Sequence, residues 1–283
     1  MNMLHDLVRR VERIEALDRL AKPLIKVISP AVQPRIVRNL LSGTYVGHPL
    51  HPMLTDLPIG AWGMSAVLDT VGGPAAESAA DLLVTAGVVA AVPTAASGLN
   101  DWSDTYGRET RAGLVHAMVM TTALGLYAAS AVARARDRRR GGKALGLTGL
   151  GVLMAGGYLG GHLSFVHGVN VNRTAWQDDP QEWTPVLADA DLAEDEHRKV
   201  DAAGVPVLLY RTMGRLCALA STCSHMGGPL DEGTLGDGCV TCPWHGSTFR
   251  FSDGGIVRGP ASTPQPRYEA RVRDGQIEVR MSP

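Results

Sequence analysis

Two short motifs in the C-terminal third of the chain combine cysteine with histidine at spacings that suit metal binding. The first is Cys223-Ser-His225 and the second is Cys242-Pro-Trp-His245, and sixteen residues separate His225 from Cys242. Thiolates and neutral imidazoles are both ligands of iron and of zinc. Together the two motifs therefore predict a metal centre with two sulfur and two nitrogen ligands.

Glycine and proline surround both motifs. Glycine reaches left-handed backbone conformations at no steric cost, and tight loops can turn their backbone N–H groups toward sulfur. The residues concerned are Gly227, Gly228, Pro229, Pro243 and Gly246. This pattern is typical of loops that wrap a metal–sulfur centre.

The pair of motifs resembles the signature of the Rieske family, and the resemblance runs from Trp183 to the C-terminus. It implies an all-β domain that holds a [2Fe–2S] cluster, with Cys223 and Cys242 on one iron and His225 and His245 on the other. Neutral imidazoles in place of two thiolates raise the reduction potential above that of an all-cysteine cluster. A zinc site with the same four ligands is the alternative.

The chain departs from the respiratory members of that family close to the cluster. Gly228 and Trp244 stand where those proteins join two cysteines in a disulfide, and Phe249 replaces a tyrosine that donates to a ligand sulfur. Ser247 keeps the hydroxyl that donates to a bridging sulfur. Hydrogen bonds to sulfur favour the reduced cluster, so Phe249 predicts a lower potential than the respiratory type. The pattern is similar to ferredoxin-type Rieske domains that serve oxygenases.

Four apolar segments precede the cluster motifs. They run at about 53–72, 79–100, 112–133 and 144–166, and the last two contain no Asp, Glu, Lys or Arg. About twenty apolar residues cross the hydrocarbon core of a bilayer. We therefore predict a four-helix membrane bundle in residues 48–168, in which Gly156, Gly157, Gly160 and Gly161 would allow close helix packing or a homo-oligomer.

Residues 1–47 form an amphipathic N-terminal segment, whose apolar stripe along 3–22 opposes Arg and Glu. Such a stripe predicts a helix that packs on its own protein or lies at the membrane surface. The motif Gly47-His48-Pro49-Leu50-His51-Pro52 then opens the bundle. With the four-segment layout, it resembles a bacterial family of membrane proteins without an assigned activity, over roughly residues 40–168.

Five histidines are predicted to gather at one face of the bundle. They are His48, His51, His116, His162 and His167. Ionisable residues in membrane segments are functional candidates, and three hypotheses compete. A b-type haem would use axial imidazoles with Gly160 as a wall and Arg108 and Arg111 for the propionates, and a quinone would use histidine with Asp56. The third hypothesis is a purely structural set of hydrogen bonds.

After a polar linker at 169–182, residues 183–283 show short apolar strands with a DG turn, which indicates a mostly antiparallel β domain. The predicted fold is thus α+β by segments, with an N-terminal four-helix transmembrane bundle and a C-terminal all-β domain. Lys and Arg occur at both membrane faces of the predicted bundle. We expect both termini to be cytoplasmic, which places the cluster domain in the cytoplasm as well.

These features predict a multi-pass protein of the bacterial plasma membrane that passes single electrons from a membrane donor, haem or quinol, to a soluble or membrane acceptor. The alternatives are an oxidoreductase with a catalytic site in the bundle and a ferredoxin with a purely structural anchor. Donor and acceptor are not identified by the sequence. A net charge of −1 gives no reason to expect a nucleic-acid partner.

Overall fold

The structure is a computed structural model and describes residues 3–282, so the outermost residues of the predicted 1–47 and 183–283 segments lie outside it. The described chain forms two compact units. One comprises the chain up to Pro34 together with Leu50–Val169, and it is helical. The other comprises Arg35–Pro49 and the chain from Asn170 onward, and it contains the β-strands.

Seven α-helices occur in the described residues. They are α1 (Met3–Glu12), α2 (Asp18–Val32), α3 (Arg35–Ser42), α4 (Leu50–Val71), α5 (Glu77–Trp102), α6 (Gly107–Ala135) and α7 (Arg139–Phe165). Helices α5, α6 and α7 are long and apolar enough to cross a membrane. The 22-residue α4, which carries Asp56 and Asp69, falls outside that set, so the prediction of four spans stays a prediction.

Two aromatic rings form the centre of the helical unit. Trp62 and Tyr127 stack with ring centroids 4.1 Å apart and an interplanar angle of 3°. A Cβ atom on Gly87 would lie 2.3 Å from the Trp62 ring, and one on Gly149 would lie 2.9 Å from the Tyr127 ring. The absence of a side chain at these two positions therefore allows the aromatic rings to fill the core.

Acidic residues at the ends of the apolar segments are paired with arginine. Asp69 and Arg134 form an ion pair in which the side chains are 3% and 2% exposed, and Arg134 also binds Asp81 at 2.8 Å. Arg139 reaches Asp81 at 2.7 Å. The aspartates that weaken the apolar pattern are thus neutralised where they are buried.

The amphipathic N-terminal helices pack within the helical unit. Ala21 of α2 is buried with Trp102 and Leu114. Arg111 of α6 forms two hydrogen bonds with Asp18, at 2.7 and 2.8 Å. Along the apolar stripe, Val8 is buried and Leu17 packs beside Ala21, whereas Leu4, Leu7 and Ile14 are exposed, so both interpretations of the stripe stay predictions.

The second unit contains two antiparallel sheets. Six strands pair in the order β1-β10-β9-β4-β3-β2 and four in the order β5-β6-β7-β8. Their bounds are Thr184–Ala188, His197–Ala202, Val205–Thr212, Arg215–Ala220, Thr234–Gly236, Cys239–Thr241, Thr248–Arg250, Ile256–Arg258, Arg267–Arg273 and Gln276–Met281, for β1 to β10. The predicted all-β domain is confirmed.

Helix α3 packs on the β-sheets of this unit. The predicted boundaries instead assigned it to the N-terminal segment at 1–47. The Asn39 side chain accepts from the Gly259 N–H at 2.8 Å and donates to the Val257 carbonyl at 3.3 Å. Thr44 donates to the Ala261 carbonyl at 2.9 Å. These bonds satisfy backbone groups at the end of β8, a contact that no local sequence pattern signals.

Candidate metal centre

Two loops of the second unit carry the four predicted ligands. Cys223 and His225 follow β4, and Cys242 and His245 lie between β6 and β7. In the first loop the Cys223 N–H donates to the Gly228 carbonyl at 2.8 Å. The second loop has the same kind of closure, because the Cys242 N–H donates to the Ser247 carbonyl at 2.8 Å.

The loops bring the two cysteines together and the two histidines together. The thiols of Cys223 and Cys242 lie close enough to influence each other's ionisation. Their interaction raises the pKa of Cys223 and lowers the pKa of Cys242 to about 7. The rings of His225 and His245 lie edge to face with centroids 5.1 Å apart. Burial lowers the pKa of His225, and the neighbouring His245 adds to the effect.

This arrangement fits a two-iron cluster better than a single zinc ion. A tetrahedral zinc would hold all four ligand atoms within about 4 Å of one another. Among the described residues, the set of three or more ligand atoms found within 4.8 Å of one another lies elsewhere, in the helical unit. A pair of sulfurs beside a pair of neutral imidazoles suits two metals, each with its own pair.

The second loop lies so close to position 228 that only glycine fits there. A Cβ atom at this position would lie 2.8 Å from the Cys242 sulfur and 3.1 Å from the Trp244 indole. The indole thus packs over Gly228 at the positions where the respiratory relatives have a disulfide. A packing contact therefore joins the loops here, and any side chain at Gly228 would push a ligand sulfur away.

A third loop, which follows β8, is hydrogen-bonded to the second ligand loop. Ser247 is fully buried, and its hydroxyl oxygen accepts from the Ala261 N–H at 3.0 Å. The hydroxyl proton is therefore free to be directed elsewhere, as the predicted donation to a bridging sulfur requires. Phe249 is fully buried and brings no hydroxyl.

Gln265 fixes the first loop, although no motif in the sequence indicates this role. Its side-chain N–H groups donate to the Ala220 and Thr222 carbonyls at 2.8 and 2.6 Å. Its oxygen accepts from the Ser224 N–H at 3.0 Å. One buried amide therefore satisfies three backbone groups next to Cys223 and His225.

Arg38 of α3 is a second residue that sequence reasoning missed. Its side chain is fully buried, and its charge acts on His225, as does that of Arg173. A fixed positive charge near an imidazole disfavours the imidazolium form. The N-terminal helix thus contributes an electrostatic influence to the site.

The predicted membrane histidines do not form one group. His51 donates from Nδ1 to the Thr94 carbonyl at 2.9 Å, and His116 donates from Nδ1 to the Gly156 carbonyl at 2.9 Å. A carbonyl only accepts, so each ring carries its proton on Nδ1 and leaves Nε2 as an acceptor. His48 belongs to the other unit, where its ring contacts the Pro49 carbonyl at 3.3 Å.

His162 and His167 instead meet a carboxylate that the sequence did not indicate. Their Nε2 atoms lie 2.9 and 2.7 Å from Oε1 of Glu12. Of the other candidates for this region, Asp56 has an exposed side chain and Arg111 is engaged by Asp18.

Comparison with known proteins matches both halves of the chain. Residues 182–269 match the family described as Rieske [2Fe-2S] domain, and residues 47–173 match Predicted membrane protein (DUF2231). The anthranilate 1,2-dioxygenase ferredoxin subunit of Burkholderia cepacia is 36% identical over 98 residues, which cover 35% of this chain and 91% of that protein.

Ferredoxin CarAc of Metapseudomonas resinovorans is 32% identical over 100 residues, which cover 35% of this chain and 94% of that protein. Among solved structures, a complex of reduced oxygenase and oxidized ferredoxin in carbazole 1,9a-dioxygenase matches with 32% identity and a TM-score of 0.33. That match covers 35% of this chain and 94% of the matched chain.

Proposed function

The chain belongs to the Rieske [2Fe–2S] family, and on that premise we propose that it is a membrane-anchored electron-transfer protein whose cluster is held by Cys223, His225, Cys242 and His245. The observation that carries the proposal is the pairing of the ligands. Two neighbouring thiols lie on facing loops, and two imidazoles lie edge to face on the same loops. When bound, the cluster accepts and releases one electron at a time.

The exposed edge of the site is the proposed exit for the electron. His225 is buried, whereas His245 is half-buried and its neighbour Trp244 is 52% exposed. An exposed aromatic beside a redox ligand suits a docking surface for a redox partner. The similarity to the ferredoxin subunit of anthranilate 1,2-dioxygenase supports a soluble oxygenase as acceptor for this chain.

Iron and sulfide analysis of the full chain in mild detergent tests the ligand assignment. We expect two irons and two acid-labile sulfides per chain, and their loss in the Cys242→Ser variant. Cys239→Ser is the matched control, because Cys239 is three residues away and its thiol contacts the Asp237 carbonyl instead. Equal loss of iron in both variants would contradict the assignment.

We further propose that α4 joins α5, α6 and α7 as a fourth span, which places both termini on the cytoplasmic side. Its 22 residues are long enough for a bilayer. Asp69 near its C-terminal end is neutralised by Arg134, which reduces the cost of burying it. The anchor holds the cluster close to a membrane electron donor.

A specific observation favours haem as that donor. The hairpins α4–α5 and α6–α7 repeat one arrangement, in which Trp62 follows His51 by eleven residues and Tyr127 follows His116 by eleven. Within the repeat, each histidine Nδ1 bonds to a carbonyl of the second helix of its hairpin. His51 and His116 are also near enough to interact electrostatically.

The glycines of the second helices repeat as well. Gly98 lies against the His51 ring and Gly160 lies against the His116 ring, where added Cβ atoms would be 2.7 and 3.2 Å from the imidazoles. Two imidazoles from two helices, each with Nδ1 bonded and Nε2 free to ligate, are what a bis-histidine haem requires. The quinol alternative would use the same histidines as proton acceptors.

A pyridine haemochrome assay on full chain from haem-replete cells separates these donors. We expect b-type haem in the wild type and its loss in His116→Leu, with retention in His48→Gln, whose ring is exposed. A wild-type preparation with the cluster but without haem would reject haem and leave quinol as the proposed donor.

A further inference from the structure

Three side chains that ligate metals converge in the helical unit, apart from the cluster site. Glu12 ends α1, His162 lies in the last turn of α7, and His167 follows that helix. Their ligand atoms all lie within 4.8 Å of one another. The Glu12 and His162 side chains are 6% and 4% exposed, and that of His167 is 17% exposed.

The distances suit a common metal ion. Both imidazoles approach the same carboxylate oxygen, with Nε2–Oε1 separations of 2.9 and 2.7 Å. Two ligand atoms bound at ~2.1 Å and ~90° are themselves about 3.0 Å apart. A small movement of the side chains would therefore place one cation on all three.

One carboxylate oxygen of Glu12 is the common partner of both imidazole rings. A metal ion bound to the three side chains would take the place of these two hydrogen bonds.

The surroundings resemble the outer sphere of known metal sites. The Nδ1 atom of His167 lies 3.9 Å from the Glu109 carboxylate, beyond hydrogen-bond distance but close enough for the negative charge to act on the ring. Arg111 donates to the backbone carbonyl of Glu12 at 3.0 Å while it binds Asp18, so it fixes the end of α1.

We propose that Glu12, His162 and His167 bind one divalent transition-metal ion, with at least one further position for water or another ligand. Two imidazoles and a carboxylate are the donor set of zinc and ferrous sites with an open position. The His5 ring, 5.5 Å from the His162 ring, is the nearest additional imidazole. The ion ties the amphipathic helix α1 to the end of α7.

Zinc is the probe for this site. The full chain, purified in mild detergent and saturated with Zn²⁺, is desalted and its zinc and iron are measured per chain. We expect one zinc in addition to the cluster iron. X-ray absorption at the zinc edge should show nitrogen and oxygen at about 2.0–2.1 Å and no sulfur at about 2.3 Å, which separates this site from zinc in the cluster loops.

Three variants, each with one glutamate replaced by glutamine, compare the contributions of these side chains to zinc affinity. Glu12→Gln keeps the shape of the ligand, and we expect at least a ~100-fold weaker zinc affinity because a charged ligand is lost. Glu109→Gln should weaken the affinity about 10–100-fold through His167. Glu15→Gln is the matched control, exposed and three residues from Glu12, and should bind as the wild type does.

The visible circular dichroism of the cluster reports whether each variant is folded. A folded wild type that retains no zinc would overturn the proposal. So would sulfur in the zinc coordination sphere, or wild-type affinity in both Glu12→Gln and His167→Asn. The iron and sulfide analysis tests the cluster ligands separately, so failure of the zinc site and failure of the cluster assignment can be told apart.

Discussion

At the scale of single residues, the cluster site depends on small side chains and on amides as much as on its ligands. Gly228 allows the Cys242 sulfur and the Trp244 indole to approach the first loop. Gln265 satisfies three backbone groups beside that loop. These residues ligate nothing, yet they hold the loops in the geometry that two metal ions require.

Replacement of Gly228 by alanine is expected to remove most of the cluster. The added methyl group would lie 2.8 Å from the Cys242 sulfur, well inside van der Waals contact, so the ligand must move. The measurement is the iron content of the full chain after purification. Gly236→Ala is the matched control, since a Cβ there meets nothing within 4 Å. A Gly228→Ala protein with wild-type iron content would show that the loops tolerate the shift.

The Phe249→Tyr variant is expected to have a higher reduction potential. The predicted role of a hydroxyl at this position is to donate to a ligand sulfur, and such a bond stabilises the more negative, reduced cluster. A rise of about 60 mV corresponds to ~1.4 kcal/mol for one electron. Redox titration followed by circular dichroism measures the shift. An unchanged or lower potential in a fully loaded variant would contradict this role for the missing hydroxyl.

At the scale of elements, helix α3 contributes to the cluster domain from a position more than two hundred residues earlier in the chain. Asn39 bonds to both Gly259 and Val257, and Thr44 bonds to Ala261, which in turn donates to Ser247. The third loop is therefore held on one side by α3 and on the other by a residue of the second ligand loop.

Replacement of Asn39 by leucine is expected to destabilise the cluster domain by about 1–3 kcal/mol, because the Gly259 N–H would lose its buried acceptor. The measurement is the denaturant midpoint at which the visible circular dichroism of the cluster disappears. Gln33→Leu, at an exposed position just before α3, should leave the midpoint unchanged. Equal midpoints for Asn39→Leu and the wild type would mean that α3 does not stabilise the site.

How far the sequence predicts these elements depends on the range of the interaction. The ligand motifs are local, with Cys223 and His225 two residues apart, so their spacing predicts a metal centre, while the strand pattern and the resemblance to the Rieske family predict its β domain. The contact of Glu12 with His162 spans 150 residues and that of Asn39 with Gly259 spans 220. A single polar residue on an amphipathic helix does not indicate its distant partner, so neither contact was predicted.

The assignment of the membrane segments also depends on contacts between residues that are distant in the sequence. Hydropathy identifies α5, α6 and α7, each of which contains an apolar stretch long enough to cross a membrane. Helix α4 is harder to assign, because Asp69 looks unfavourable until Arg134 is seen beside it. The five histidines have different partners, which the residue type alone does not reveal. In the structure His51 and His116 bond to backbone carbonyls, whereas His162 and His167 contact Glu12.

At the scale of the whole molecule, the chain combines a helical unit that has membrane-spanning helices with a cluster domain of the ferredoxin type. On the proposed function, such a fusion would keep a one-electron carrier at the membrane, within reach of a donor there and of a diffusing acceptor. Its side of the membrane then decides which acceptors are available.

The expected topology places the C-terminus in the cytoplasm. Four spans put both termini on one side, and eight basic residues before residue 47 favour the cytoplasmic side, against six in residues 134–143 around the junction of α6 and α7. A C-terminal green fluorescent protein fusion should therefore fluoresce, and a C-terminal alkaline phosphatase fusion should be inactive. The opposite pattern would place the cluster domain outside the cytoplasm.

Electron paramagnetic resonance of the dithionite-reduced full chain tests the central claim most directly. The account predicts one rhombic signal from a reduced two-iron cluster, with pulsed measurements that detect two coordinated nitrogens, one each from His225 and His245. A protein that contains stoichiometric zinc and no paramagnetic centre, or a reduced cluster without nitrogen ligands, would contradict it.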